Sequence, residues 1–273
     1  YDGVINEESH LTTPEALDLH RHYDNAVRSG IEFLTMEVSS QALKYDRTYG
    51  ITFDVGCFLN IGTDHISDVE HPSFEDYLAA KMVLFGQCRI ACINMESDYA
   101  GMAIDAAAGK AEKLITFGLK PEADLYGYEV EPGKRGISFR VRCDSFDEDF
   151  KIGMTGLFNV ENALAAIAIS YGLNIPMEYI KAGLKKARVS GRMEIYTSTS
   201  GELDVIVDYA HNQMSFESLF QSTKKEYPGK KITIVFGCPG KKAFGRRKEL
   251  GEIAGKYADK VLSQKKMRAR NRL

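Results

Sequence analysis

MEVSSQAL at residues 36–43, DVGCFLNIGTDH at 54–65 and YLAAK at 77–81 decide the fold of this 273-residue chain. FLTMEV, ending at Val38, and DVGCFLNI, ending at Ile61, are short apolar runs that stop at polar residues, the pattern of buried strands. Open α/β sheets place their chemistry at strand ends. Glu37, Asp64 and His65 are therefore expected to converge, with Lys81 on the helix that follows. A carboxylate and an imidazole beside a phosphate can hold a divalent cation. Taken singly, Glu37 reads equally well as a capping residue, His65 as a satisfied polar side chain and Lys81 as a solvated cation. The combination favours a site.

Outward from this stretch, TTPEALDLHRHYDNAVRSG predicts a helix with Thr13 as its cap, Pro14 at its first position and Gly30 at its end. Ser39, Ser40 and Arg47 fall just beyond the first strand, where hydroxyls and a guanidinium suit an anion; a capping serine with a surface arginine is the competing reading. SFEDYLAAKMVLF, with acids early and Leu78, Val83 and Leu84 as its stripe, predicts a helix. CRIACINM and KLITFGL predict strands on either side of a helix over residues 98–108. This alternation implies an α/β fold: a central, mostly parallel sheet flanked by helices. From Asp124 to Met154, short alternating runs joined by Gly-rich turns predict a small antiparallel patch. An apolar helix follows from Thr155, with Asn159 and Asn162 on one face. After Ser190, LDVIVDYAHN, KITIVFGC and KVLS read as strands of a second, incomplete Rossmann-like α/β unit.

Composition narrows the class. Apolar residues make up 44% and charged residues 27%, with a formal charge of -3. This is ordinary for a globular protein and gives no nucleic-acid or membrane surface. The basic stretch from Lys265 to Arg272 reads as a solvated end rather than a nucleic-acid tail. The cysteines at 57, 88, 92, 143 and 238 are odd in number and form no CxxC, so free thiols in a reducing cytoplasm are expected. No apolar run is long enough to span a bilayer. A chain that starts at Tyr1 reads as a fragment or a processed product.

TTP at 12–14, MEVSSQAL with Arg47, LNIGTDH with Lys81, GLFNVENALAA from Gly156, GRME from Gly191, DYAHN from Asp208, and FGCPGKK followed by GRRKELGEIA occur in this order. Together they resemble the Mur ligases, the ATP-dependent family that extends the peptidoglycan stem peptide, over nearly the whole chain. The nearest likeness is to members that add a diamino acid, L-lysine or meso-diaminopimelate, to UDP-N-acetylmuramoyl-L-Ala-D-Glu. The resemblance implies that residues 1–190 form the central ATP-binding domain without its GTxGKT phosphate loop. It also implies that residues 191–273 form an incomplete C-terminal domain, since QKKMRARNRL departs from the family's continuation.

The resemblance assigns Glu37 and His65 to Mg2+ and makes Lys81 the family's carbamylated lysine, a further metal ligand in that form. An unmodified Lys81 would contact phosphate directly. Thr12, Thr13, Ser39 and Arg47 match the positions that hold the UDP-N-acetylmuramoyl-dipeptide. Asn162 matches the adenine contact, and Arg192, Asp208 and His211 the nucleotide side, with Asp208 on the ribose. The implied chemistry is ligation through an acyl-phosphate, with ATP and Mg2+ as cofactors, in a cytoplasmic monomer. Two alternatives stand beside it: a folylpolyglutamate synthase-like ligase, which shares the architecture, and an inactive ligase-derived fragment that binds part of the substrate. The absent phosphate loop leads to the expectation that the chain as given does not ligate.

Overall fold

The computed structural model describes residues 1–7, 9–62, 66–67, 70–133, 135–238 and 244–263, without the side chains of 244–246. Asp64, His65, the PGKK turn and the basic stretch lie outside the described residues. The chain divides into two compact units, Tyr1–Leu125 with Ile167–Ile175, and Tyr126–Ala166 with Pro176–Leu273.

The first unit opens on a loop tied to α1 (Ala16–Arg28). The helix begins two residues later than Pro14 predicts, after Glu15, which makes no side-chain cap bond. Thr13 does not cap it because its hydroxyl bonds the segment around Glu37 instead. Gly30, at φ +69°, takes the left-handed position past the helix end.

Residues 31–39 form no strand, which corrects the strand expected to end at Val38. A strand is held by a ladder partner. No strand of the described sheets pairs with this segment, and Phe33 and Leu34 are exposed.

The chain continues through α2 (Ser40–Lys44), β1 (Phe53–Phe58) and α3 (Phe74–Met82), which tightens into a 3-10 turn at Val83–Gly86. Ser73 caps α3 by accepting the N–H of Asp76. Val83 leaves the expected stripe and is exposed, because the tighter turn rotates it away; Phe85 enters the core instead. Then come β2 (Cys88–Asn94), α4 (Ala100–Ala107) and β3 (Lys113–Gly118). β1, β2 and β3 pair in parallel. Phe58, Tyr77, Leu78, Phe85, Ile93 and Ala103 pack against them. The cysteines are free, and burial pushes the Cys57 thiol to about 12.

β4 (Leu125–Gly133), β5 (Gly136–Cys143) and β6 (Phe146–Ile152) are antiparallel. Both the parallel sheet of β1–β3 and the antiparallel patch of β4–β6 are therefore present. α5 (Asn159–Gly172) and α6 (Met177–Lys186) follow.

Beyond residue 190, β7 (Glu194–Thr197) and β8 (Asp204–Val207) form an antiparallel pair. α7 (Gln213–Glu226), β9 (Thr233–Phe236), α8 (Phe244–Tyr257) and β10 (Lys260–Ser263) complete the chain's described elements. β9 and β10 are parallel. The connections explain the difference: a tight turn, with Ser198 N–H on Leu203 O, joins β7 to β8, whereas α8 carries the chain from β9 to β10. The apolar run of β8 is only half covered, with Val205 and Val207 exposed. Phe216, Phe220, Leu250, Ile253 and Ala254 form the core here.

Gly136 sits at φ +137°, and a Cβ there would lie 2.1 Å from Ile152 O. Gly136→Ala is expected to destabilise the antiparallel patch by more than about 2 kcal/mol, from backbone strain plus overpacking; urea unfolding of the two proteins measures it.

Asp2 is 2% exposed. Its carboxylate accepts the N–H groups of Val4 and Ile5 and the Asn25 amide, and lies 2.6 Å from His22 Nδ1. Burial would raise its pKa; the bonds from Ile5, Asn25, His22 and Val4 outweigh burial and hold the carboxyl well below the usual range. A depressed carboxyl stabilises the fold above its unfolded value of about 4 and loses that contribution as pH falls further. The thermal midpoint is therefore expected to fall with pH below about 4, and to fall less in Asp2→Asn.

Candidate functional site

In the first unit, Thr13 is fully buried. Its hydroxyl donates to Glu37 O and accepts the Ser39 N–H, both at 2.9 Å. The bridge ties the segment that carries Glu37 to the loop before α1. Ser39 then caps α2, accepting the Ala42 N–H at 3.1 Å. It is thus a capping serine in this structure, with the hydroxyl of Thr13 also 3.4 Å from its own.

α2 ends in a Schellman turn. Asp46 is left-handed at φ +54°, and the Arg47 N–H bonds Ala42 O at 2.8 Å. That turn delivers the Arg47 side chain back to Thr13. Its Nη1 donates to Thr13 O at 3.4 Å and its Nη2 lies 3.0 Å from Glu15 Oε1. The guanidinium is 14% exposed, and its buried Nε has no partner among the described residues. Thr12 is exposed beside it.

Lys81 lies in the last turn of α3, its Nζ 5.3 Å above the ring of Tyr77. Burial holds its amine below the usual lysine range, while the charge of the exposed Glu37 works in the opposite direction. Glu37 and Lys81 are thus within electrostatic reach of each other. His65 lies outside the described residues.

In the second unit, Gly156 at φ +86° turns the chain into α5. Glu226 accepts the Gly156 and Leu157 N–H groups at 3.2 and 2.9 Å, which anchors this turn to α7. Asn159 is buried and donates to Thr155 O. The exposed Asn162 donates to Asn159 Oδ1 at 3.0 Å, so the pair shares a face as its spacing predicts.

After β8, Asp208 accepts the Met193 N–H and the Ala210 N–H, each at 2.8 Å. The Arg192 guanidinium stacks over Tyr209 at 4.7 Å, and His211 Nδ1 donates to Tyr209 O at 3.0 Å. Arg192, Asp208 and His211 are therefore drawn together around Tyr209. Asp208, Tyr209 and His211 line a cavity of about 720 Å³ whose floor includes Phe216, Phe220 and Phe236.

Residues 2–170 match the Mur ligase middle domain, and residues 191–271 match the Mur ligase glutamate ligase domain. The chain belongs to the Mur ligase family. It is 38% identical over 261 residues to the UDP-N-acetylmuramoyl-L-alanyl-D-glutamate--L-lysine ligase of Streptococcus thermophilus, a match covering 94% of this chain and 51% of that protein. It is 35% identical over 262 residues to the corresponding 2,6-diaminopimelate ligase of Clostridium perfringens, covering 95% and 53%. A solved UDP-N-acetylmuramoyl-L-alanyl-D-glutamate--2,6-diaminopimelate ligase superimposes with a TM-score of 0.71 at 25% identity, over 92% of this chain and 52% of that one. The chain spans about half the length of the curated relatives it matches.

Within this Mur ligase fold, sequence reasoning missed several residues. Glu226 carries no motif of its own, and Tyr209 stands inside DYAHN without having been given a role. Asn212 caps α7 in a reciprocal pair with Ser215, which the NQMS spacing would have revealed. Replacing Thr13 by Val keeps the volume and removes the bridge, leaving the half-buried Ser39 N–H without this acceptor. Thr13→Val is expected to cost about 1–3 kcal/mol, read as a lower midpoint in chemical denaturation.

Proposed function

We propose that this chain forms the core of an ATP-dependent ligase that joins L-lysine or meso-diaminopimelate to UDP-N-acetylmuramoyl-L-Ala-D-Glu in peptidoglycan synthesis. The observation that carries the reading is one cluster in the first unit: the Thr13 bridge, the capping Ser39 and the Arg47 guanidinium with its free Nε, alongside Glu37 acting on Lys81. Arg47 is held by Glu15 and a carbonyl, and the 14% of its side chain that stays exposed offers a guanidinium edge to a substrate carboxylate or phosphate. Thr12 and Ser39 are proposed to add hydroxyls to the same ligand.

The chemistry is acid activation followed by amine attack. The D-Glu side-chain carboxylate attacks the γ-phosphorus of ATP, ADP leaves, and the acyl-phosphate is then opened by the amine of the incoming diamino acid with release of phosphate. No protein nucleophile takes part; rate comes from positioning and from charge placed where it develops. No group of three His, Cys, Asp or Glu side chains poised for a metal occurs among the described residues. Mg2+ does not require one, since it takes one or two carboxylates together with water and phosphate oxygens. Glu37 supplies such an oxygen, with His65 and a carbamylated Lys81 as its partners. Bound there, Mg2+ would neutralise charge on the transferring phosphoryl group.

Asn162 serves adenine through its exposed amide. Asp208 serves the ribose with the lone pairs left by its backbone bonds, and Arg192 and His211 flank it. The division between the family's central and C-terminal domains is placed at residues 190–191, supported by the interval between the two family matches. The enzyme is proposed to act as a cytoplasmic monomer; no described helix is long and apolar enough to cross a membrane.

Calorimetric titration with UDP-N-acetylmuramoyl-L-Ala-D-Glu tests the substrate half. Arg47→Ala is expected to weaken binding by about 1.5–3 kcal/mol, roughly ten- to a hundredfold; unchanged affinity removes Arg47 from the site, and no binding to the parent chain refutes the reading. In the reaction of the full-length ligase, Glu37→Gln is expected to lower kcat by about 10²–10³. Asp208→Asn should mainly raise the KM for ATP. A Glu37→Gln enzyme with near-normal kcat would sink the metal assignment.

A further inference from the structure

Ser40, His71 and Asp76 stand as hydroxyl, imidazole and carboxylate in a row. His71 Nε2 lies 2.9 Å from Ser40 Oγ, and His71 Nδ1 lies 2.6 Å from Asp76 Oδ2. An ionised carboxylate only accepts, so Nδ1 carries the proton in this bond. The order is that of a nucleophile, a base and an orienting acid. Ser40 is 6% exposed and His71 0%, so no substrate carbonyl reaches the hydroxyl. The arrangement has the hydrogen bonds of a triad without access, and its role is sought in what it joins.

It joins the two halves of the candidate site within one unit. Ser40 is the first residue of α2, next to Ser39, and α2 ends in the turn that delivers Arg47. Asp76 lies in the first turn of α3. It also takes Lys44 Nζ from the end of α2 at 2.6 Å, and the Lys44 and His71 bonds hold its carboxyl below the usual range. The His71 ring packs on Tyr77, 5.0 Å between centroids. Lys81 Nζ lies over that same ring. A continuous path runs from the Ser39 turn through Ser40, His71 and Tyr77 to the Lys81 amine, and Lys44 closes it from the other end of α2.

We infer that His71 is a positioning residue that couples the Ser39–Arg47 segment to the Tyr77 ring and thereby sets where the Lys81 amine sits. Two bonds and a ring contact fix the imidazole, and a buried ring so fixed has no freedom to let Tyr77 turn. Its meaning for catalysis rests on the ligase reading: the distance between the group that grips the dipeptide and the group at the phosphoryl end is set by this path.

The test uses the chain itself and needs no turnover. With lysine labelled with carbon-13 at the ε-methylene, the Lys81 resonance is assigned by its loss in Lys81→Arg. It should lie upfield of the solvated lysines, because it sits over an aromatic face. In His71→Leu and in Ser40→Ala it is expected to move back toward them. Amide exchange in residues 40–47 should quicken while that of β1–β3 holds. Asp76→Asn, which keeps a carbonyl oxygen for His71 Nδ1–H, should retain the shift. If His71→Leu does not fold, Ser40→Ala carries the test, since it removes one bond only. A folded His71→Leu or Ser40→Ala variant that leaves the Lys81 resonance in place overturns the coupling. Titrating the parent chain with UDP-N-acetylmuramoyl-L-Ala-D-Glu in the same samples judges the ligase reading separately, because the Lys81 resonance reports the coupling whether or not that ligand binds.

Discussion

One buried hydroxyl holds the segment on which the candidate site depends. Residues 31–39 lie in no ladder of the described sheets, so the order that a neighbouring strand would give is missing there. Thr13 supplies a substitute. Its Oγ1 accepts one backbone N–H and donates to one backbone carbonyl across a gap of more than twenty residues, as a neighbouring strand would at a single rung. Backbone polar groups must be satisfied, and here Glu37 O and the Ser39 N–H are satisfied by a side chain. The position of the Glu37 carboxylate therefore follows from a threonine in the loop before α1 rather than from the sheet.

This is also why the sequence was legible in some places and not in others. β1, β2 and β3 are dense apolar runs separated by helices, and each formed on its expected run, although β1 stops at Phe58 rather than Ile61. The antiparallel patch was equally readable from its alternation and its glycines. FLTMEV has the composition of a strand, yet pairing is a property of the neighbour and not of the segment. Thr13 followed by Pro14 has the composition of a cap, yet the hydroxyl had a stronger claim from the Glu37 loop. In both cases a long-range partner overrode a local signal.

The candidate site divides the same way. The residues that carry chemistry stand in recognisable strings, and their local geometry followed from turns that sequence can announce: the Schellman turn before Arg47, the asparagine pair of α5, the turn at Asp208. Their supports were invisible. Ser40 and His71 are 31 positions apart and meet only in the fold. Glu226 reaches back about 70 positions to hold the Gly156 turn. Asp76, read as an ordinary acid in the first turn of a helix, turns out to receive both Lys44 and His71. A supporting residue has no signature of its own, because its identity is fixed by the group it must satisfy.

Lys81 shows how such supports shape reactivity. Burial favours its neutral amine, and the Glu37 carboxylate favours its cation. Burial prevails, so a larger fraction of the amine is in the nucleophilic form than in a solvated lysine. That is the form able to add to carbon dioxide. On the ligase reading, the product would be an anion close to a second anion, Glu37. The attraction that steadies the amine would become repulsion between like charges in a poorly solvated place. Only a cation between them restores the balance, and a divalent ion does so while leaving charge over for phosphate oxygens. Electrostatics alone thus ties the modification and the metal together. An ammonium at Lys81 suits Glu37 without a metal, whereas on the ligase reading a carbamate at Lys81 would make the same pair a cation site.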